Sequence, residues 1–200
     1  MARFAAFLDA CVLVPIATCD TLLRLADSGA FRPLWSQQVE SEAICALERI
    51  HPHVDRSRFL SRFRSMNEAF DDARVVGWEP LEEAIDLPDP DDRHVVAAAL
   101  RGRADAIITE NTKDFPSTVM ESLGLEVIRL DAFLLDQYDL NPSATRRILG
   151  QQAAAMKSPP TELCELLARL AAGGAPRFAA ALEAHGGSEL EMDIGQGQVQ

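Results

Sequence analysis

Four separated acids are the side chains best placed to do chemistry in this chain of 200 residues. Asp9 ends the apolar run FAAFLD. Glu42 sits in SQQVESEAICAL. The third is one of Asp89, Asp91 and Asp92, which crowd the stretch LPDPDDRHVVAAALRG, and the fourth, Asp114, lies in IITENTKDF. Magnesium and manganese are hard cations that prefer carboxylate and water oxygens, so acids without His or Cys companions suit them. One or two such ions can polarise a phosphodiester, activate a water and hold the leaving oxygen.

The run at 89–92 also has a simpler explanation. Asp is a favoured N-cap, and acids in a first turn complement the helix dipole. One side chain suffices for that purpose, and three exceed it. If the four acids converge, they repel one another, and at least one should hold its proton more tightly than usual.

These acids need elements to position them. RFAAFLDACVLV opens as a short buried strand with Asp9 at its C-terminal end. TCDTLLRLADSG follows as a helix, with Thr18 or Asp20 as its cap and Gly29 as its stop. FRPLWS is a second strand. In SQQVESEAICALERI the residues Val39, Ala43, Ala46, Leu47 and Ile50 share a helical face. VDRSRFLSRFRSMNEAF is amphipathic, with Phe59, Phe63, Met66 and Phe70 at helical spacing. RVVGW, ADAIITE and GLEVIRL read as further strands, with DRHVVAAALRG as the helix after the acidic run. Strands alternating with helices predict an α/β fold with a mainly parallel sheet, whose ligands bind beyond the carboxyl ends of the strands. Asp9, Thr109, Glu110, Asn111 and Asp114 fall at such ends.

Residues 142–185 are rich in Ala and Leu, with Pro159, Pro160 and Pro176 as breaks, and predict two or three helices. Leu163, Leu166, Leu167 and Leu170 form one stripe there, and Phe178 and Leu182 another. The polar, Gly-rich end, GGSELEMDIGQGQVQ, predicts a mobile tail.

Bulk properties narrow the class. The net charge of −12 argues against broad, charge-driven nucleic-acid binding, but allows a local basic patch. Cys11, Cys19, Cys45 and Cys164 show no zinc spacing and predict reduced thiols. No apolar run approaches the ~20 residues of a membrane span, so a cytoplasmic protein is expected.

Four motifs together resemble the PIN-domain ribonucleases of the VapC toxin type. FLDACVLV resembles their opening strand. SQQVESEAICAL resembles their Ser-x-x-(Thr/Val)-x-x-Glu helix, with Ser36, Val39 and Glu42 in register. DPDDRHVVAAAL resembles the Asp that starts an Ala-rich helix, and IITENTKDF their Thr-x-Asn-x-x-(Asp/Glu)-Phe, with Thr109, Asn111, Asp114 and Phe115. The resemblance covers about residues 4–135. It implies a three-layer α/β/α PIN-like sandwich with a central, mainly parallel sheet, here followed by a small helical C-terminal region. The expected division is a nuclease domain at 1–138, a helical extension at 139–186 and a flexible tail at 187–200. The resemblance also implies magnesium- or manganese-dependent RNA cleavage, a VapB-type antitoxin as partner and a homodimer. Asp9, Glu42, Asp92 and Asp114 would hold the metal and carry catalysis, supported by Ser36, Asp89, Asp91, Thr109 and Asn111. Asp92 is preferred in the third motif because it stands three residues before Val95 and five before Ala97. Glu40 competes with Glu42, but two residues away it lies on another helix face.

Arg49, Arg56, Arg58 and Arg62 are candidates for contacting RNA phosphates beside the acids; the alternative is a solvated helix face. His94 lacks metal spacing and is expected to be a packed or helix-surface residue outside the chemistry. A phosphatase with an aspartyl nucleophile fits poorly, because such sites need a second Asp two residues on and Cys11 stands there. A catalytically inactive PIN-like regulator that binds RNA or protein is the other reading.

Overall fold

The run AAFL is strand β1 (Ala5–Leu8), and all four residues are buried, as a strand covered on both faces requires. It ends at Asp9, which caps the short helix α1 (Ala10–Leu13). Helix α2 (Ile16–Asp27) begins directly after Pro15, whose restricted φ of −68° directs the chain into it. The expected caps Thr18 and Asp20 therefore lie inside this helix. Asp20 instead pairs with Arg24 one turn on.

Strand β2 (Arg32–Ser36) leads into α3 (Gln37–Ile50), and α4 (Arg56–Ala69) follows, capped by the Asp55 carboxylate on the Ser57 N–H. RVVGW contributes only the two-residue strand β3 (Arg74–Val75), and a short helix α5 (Glu79–Glu82) comes next. A 3₁₀ turn at Pro90–Asp92 precedes α6 (Arg93–Gly102). Then come β4 (Ala106–Ile108), a second 3₁₀ turn (Thr112–Asp114), α7 (Ser117–Leu123) and β5 (Glu126–Ile128). The computed structural model describes residues 3–157 and 160–184; Pro159, His185 and the expected tail at 187–200 lie outside the described residues.

The sheet order is β3-β2-β1-β4-β5, and every neighbouring pair is parallel. The chain first steps from β1 outward to β2 and β3. It then crosses back to β4 and β5 on the other side. Right-handed crossovers put the first set of helices on one face and α6 and α7 on the other, which makes the three layers. Consistent with this, α6 packs along β2, β3 and β4. Gly102 makes that approach possible. A Cβ there would stand 2.8 Å from Val75 Cγ2 and 3.0 Å from Leu34 Cδ1. The reversal of direction falls between β1 and β4, and a crevice opens at such a point beyond the strand ends.

The chain divides into two compact units, residues 1–129 and 130–200. In the second, α8 (Leu130–Leu140), α9 (Pro142–Ala155) and α10 (Leu163–Ala172) are followed by a helix at residues 176–184. The Asp131 carboxylate caps that last helix by accepting from the Arg177 and Phe178 N–H groups. Of the predicted apolar stripe, Leu166, Leu167 and Leu170 are buried with Phe178 and Leu182, whereas Leu163 is exposed. No helix among the described residues is long and apolar enough to cross a membrane.

Candidate metal centre

Asp9 and Thr109 sit at the carboxyl ends of the adjacent strands β1 and β4, and the Asp9 N–H reaches the Ile108 carbonyl across the ladder. Thr109 Oγ1 donates to Asp9 Oδ2 at 2.6 Å and accepts from the Asn111 N–H at 3.0 Å. The other Asp9 oxygen, Oδ1, takes the Ala10 N–H at 2.6 Å. Cys11 Sγ lies 3.2 Å from Asp9 Oδ2 and accepts from the Glu110 N–H. Burial and the Asp9 charge push the Cys11 thiol up to about 12, so it stays protonated beside the carboxylate. Thr109 is thus a fully buried hub. Thr109→Val keeps the shape but strands the Asn111 N–H and one Asp9 oxygen. It should cost about 1–3 kcal/mol, read as a lower denaturation midpoint at unchanged slope. A variant as stable as wild type would mean that water replaces the hydroxyl.

The question of the three aspartates resolves by division of labour. Asp89 caps the 3₁₀ turn by accepting from the Asp91 N–H. Asp92 stands at the N-terminus of α6 yet makes no capping bond with its side chain. Its Oδ2 accepts from Asn111 Nδ2 at 3.2 Å instead. Asp89, Asp92 and Asp114 each present a carboxylate oxygen within 4.8 Å of the other two. At that spacing, like charges repel by about 3–4 kcal/mol per pair at an effective dielectric near 20. Asp92 is accordingly raised to about 6, first by burial and then by the charges of Asp9, Asp89 and Asp114, with His94 acting in the opposite direction. Three hard oxygen donors, their charge offset in part by exposed Lys113 3.8 Å from Asp114, fit a divalent cation.

Asp9 is electrostatically coupled to this trio, but both of its oxygens already have donors. Glu42 is not one of the three converging acids. Its Oε1 accepts from His94 Nε2 at 2.9 Å and from Gln38 Nε2 at 3.1 Å. Glu42 and His94 line a small pocket with Gln38, Trp78, Glu82, Pro90 and Asp91. Glu40 points elsewhere. It is buried, accepts from Asn67 Nδ2 at 3.0 Å and pairs with Arg74 at 3.3 Å, a network that continues to Trp35. Ser36 caps α3 through the Val39 N–H, which sets the start of the helix that carries Glu42.

The arginines separate. Arg49, Arg56 and Arg58 are exposed, and Arg56 pairs with Glu48. Arg62 turns inward and donates to the Leu13 and Val14 carbonyls at 2.6 and 3.4 Å, tying α4 to the end of α1. Sequence reasoning set His94 aside as a packed or helix-surface residue and did not consider Gln38. The signals were available: His94 follows Asp92 by two residues, and Gln38 precedes Glu42 by four, one helical turn.

Residues 5–113, more than half of the chain, match the family model described as PIN domain, and residues 130–184 match that described as VapC50 C-terminal domain. Over 89 residues, 44% of the chain, the sequence is 40% identical to a Mycobacterium tuberculosis protein named "Putative ribonuclease VapC50". The match spans about half of that relative, 52% of its length. No solved structure matches the chain.

Proposed function

The chain belongs to the PIN domain family, and from that membership we propose that it is a metal-dependent endoribonuclease, the toxin of a VapBC-type toxin–antitoxin pair. The observation that carries this reading is the convergence of Asp89, Asp92 and Asp114 at the switch point between β1 and β4, with Asp92 held well above the usual carboxylate range. The name of the M. tuberculosis relative supports the choice of RNA as substrate.

Asp89, Asp92 and Asp114 would hold magnesium or manganese, with Asp9 adding charge from behind. When bound, the ion supplies Lewis-acid polarisation of the phosphodiester and a lowered pKa for the attacking water. Thr109 fixes Asp9, and Asn111 fixes Asp92, so these carboxylates need little rearrangement when the substrate arrives. Glu42, the remaining acid, is assigned the proton-accepting role at the edge of the centre. Exposed Arg49 and Arg58 offset the acidic bulk along the path of the RNA backbone, whereas Arg62 serves the fold.

A basic or amphipathic antitoxin segment is the assigned partner. A groove of about 580 Å³ between α2 and α4, lined by Ile16, Leu23, Met66 and Phe70, offers it an apolar surface.

The test uses two neighbouring acids. Glu42→Gln should lower single-stranded RNA cleavage in magnesium or manganese by about 10²–10⁴-fold, the range for a general base, with little change in stability. Glu40→Gln should cleave within a few-fold of wild type yet lose about 1–3 kcal/mol, because it weakens a buried charge network. Cleavage that survives in chelator, or that follows Glu40 rather than Glu42, would defeat the assignment. A wild-type chain that binds RNA without cutting would leave a PIN-like binding module.

A further inference from the structure

We propose that His94 is the positioning residue for Glu42, and that with Gln38 it aims one carboxylate oxygen at the catalytic centre. The inference rests on the nuclease reading above and deepens it.

Two N–H donors converge on a single oxygen of Glu42. His94 Nε2 lies 2.9 Å and Gln38 Nε2 3.1 Å from Oε1. Among the described residues no donor reaches Oε2, and the Glu42 side chain is 39% exposed. Donors spread over both oxygens would hold a carboxylate but occupy lone pairs on each. One that is doubly held on Oε1 presents Oε2 in a fixed direction with both lone pairs available.

The imidazole is built to hold rather than to react. His94 is 4% exposed. Its ring packs against Trp78 at 5.9 Å between centroids. A carboxylate only accepts, so Nε2 carries the hydrogen. Nδ1 is buried without a hydrogen-bond partner among the described residues, which removes any relay from the far side of the ring. Among the described residues, the hydrogen bond that His94 makes is the one to Glu42.

The placement along the chain gives the contact its consequence. Asp92 and His94 are two residues apart at the start of α6, which is tied to the sheet through β2, β3 and β4. Asp92 faces Asn111 and the other acids, while His94 reaches α3. One rigid helix start therefore sets both the metal-holding acid and the orientation of Glu42, an acid otherwise tethered only within its own helix.

The test uses the full chain with His94→Phe, His94→Gln, His94→Asn, Glu42→Gln and the His94→Phe/Glu42→Gln double variant. Phe keeps the ring against Trp78 and removes only the donor, and the orphaned Nδ1 loses nothing. Gln can place an amide N–H near the Nε2 position, whereas Asn reaches only that of Nδ1. His94→Phe and His94→Asn should lose tenfold or more in kcat with KM nearly unchanged. His94→Gln should recover most of that loss, and the double variant should be no slower than Glu42→Gln alone. In ¹⁵N NMR of the metal-free chain, His94 should show a slowly exchanging Nε2–H that shifts on Glu42→Gln. If wild type cuts RNA and His94→Phe cuts equally well, or the two losses simply multiply, the inference is overturned while the nuclease reading stands. If His94→Phe fails to fold, His94→Gln against His94→Asn decides by the same comparison. A wild type that cuts no RNA under magnesium or manganese removes the nuclease reading, and this inference with it.

Discussion

Asp92→Asn is expected to lose RNA cleavage by about a thousandfold or more, since the metal's contribution is several kcal/mol and each 1.36 kcal/mol is a factor of ten. The same variant should melt higher than wild type in chelator at pH 7. In the folded, metal-free chain the Asp92 carboxyl is raised to about 6 by burial and by Asp9, Asp89 and Asp114. Its unfolded value lies near ~4. The folded state therefore holds this proton more tightly than the unfolded state. The contribution to stability is complete below about pH 4 and is lost as pH rises through about 6. Two units correspond to about 3 kcal/mol at the limit, and partial exposure of the carboxyl reduces that to ~1–2 kcal/mol. Asn cannot ionise, so it escapes the loss, and the variant should gain a few degrees at pH 7 and almost nothing at pH 4. Magnesium should stabilise wild type by mass action on the assembled site, and the variant much less. Thermal melts at both pH values, with chelator and with excess magnesium, make the comparison. Equal magnesium shifts together with retained cleavage would return Asp92 to the role of a helix start.

Trp35→Ala should cost about 3–5 kcal/mol, and the melting temperature should fall by roughly 10 °C for a chain of this size. Trp35 is fully buried in β2, edge-on to Phe70 at 6.1 Å. Its Nε1–H donates to Asn67 Oδ1 at 2.9 Å, and Asn67 in turn holds Glu40. Truncation opens a cavity and also strands part of a buried polar chain. Trp35→Phe separates the two effects. It restores much of the volume and leaves the Asn67 oxygen unpaired, so about 1–2 kcal/mol should remain. Urea denaturation of both variants measures the difference. An Ala variant within 1 kcal/mol of wild type would mean that α4 closes onto the vacated space.

Much of the scaffold was legible locally. The run ending at Asp9, the Ala-rich helix behind the acids and the strand before Thr109 each carry their signal within a few residues, because burial on both sides demands an unbroken apolar strand and a helix demands its 3.6-residue stripe. The spacing also separated Glu42 from Glu40, since two residues turn a helix side chain by more than half a circle. The sheet's two ends were less legible. β3 is only two residues long, and α5 buries nothing of its own, so neither writes a periodic pattern.

What only the tertiary structure decided is which side chains meet. Three aspartates within four positions look alike in sequence. Whether Asp89 caps a turn and Asp92 turns toward Asn111 depends on where the loop after β4 lies, about 20 residues further on. Arg62 reads as one of a surface row, yet the approach of α4 to the end of α1 gives it two carbonyls that no residue near it in sequence supplies. His94 reads as a packing residue until α6 is laid beside α3, where a Glu42 oxygen accepts its Nε2–H. Periodicity determines the face on which a side chain stands; its partner comes from a different element, and only the packing of one against the other brings charge and hydrogen-bond donor together.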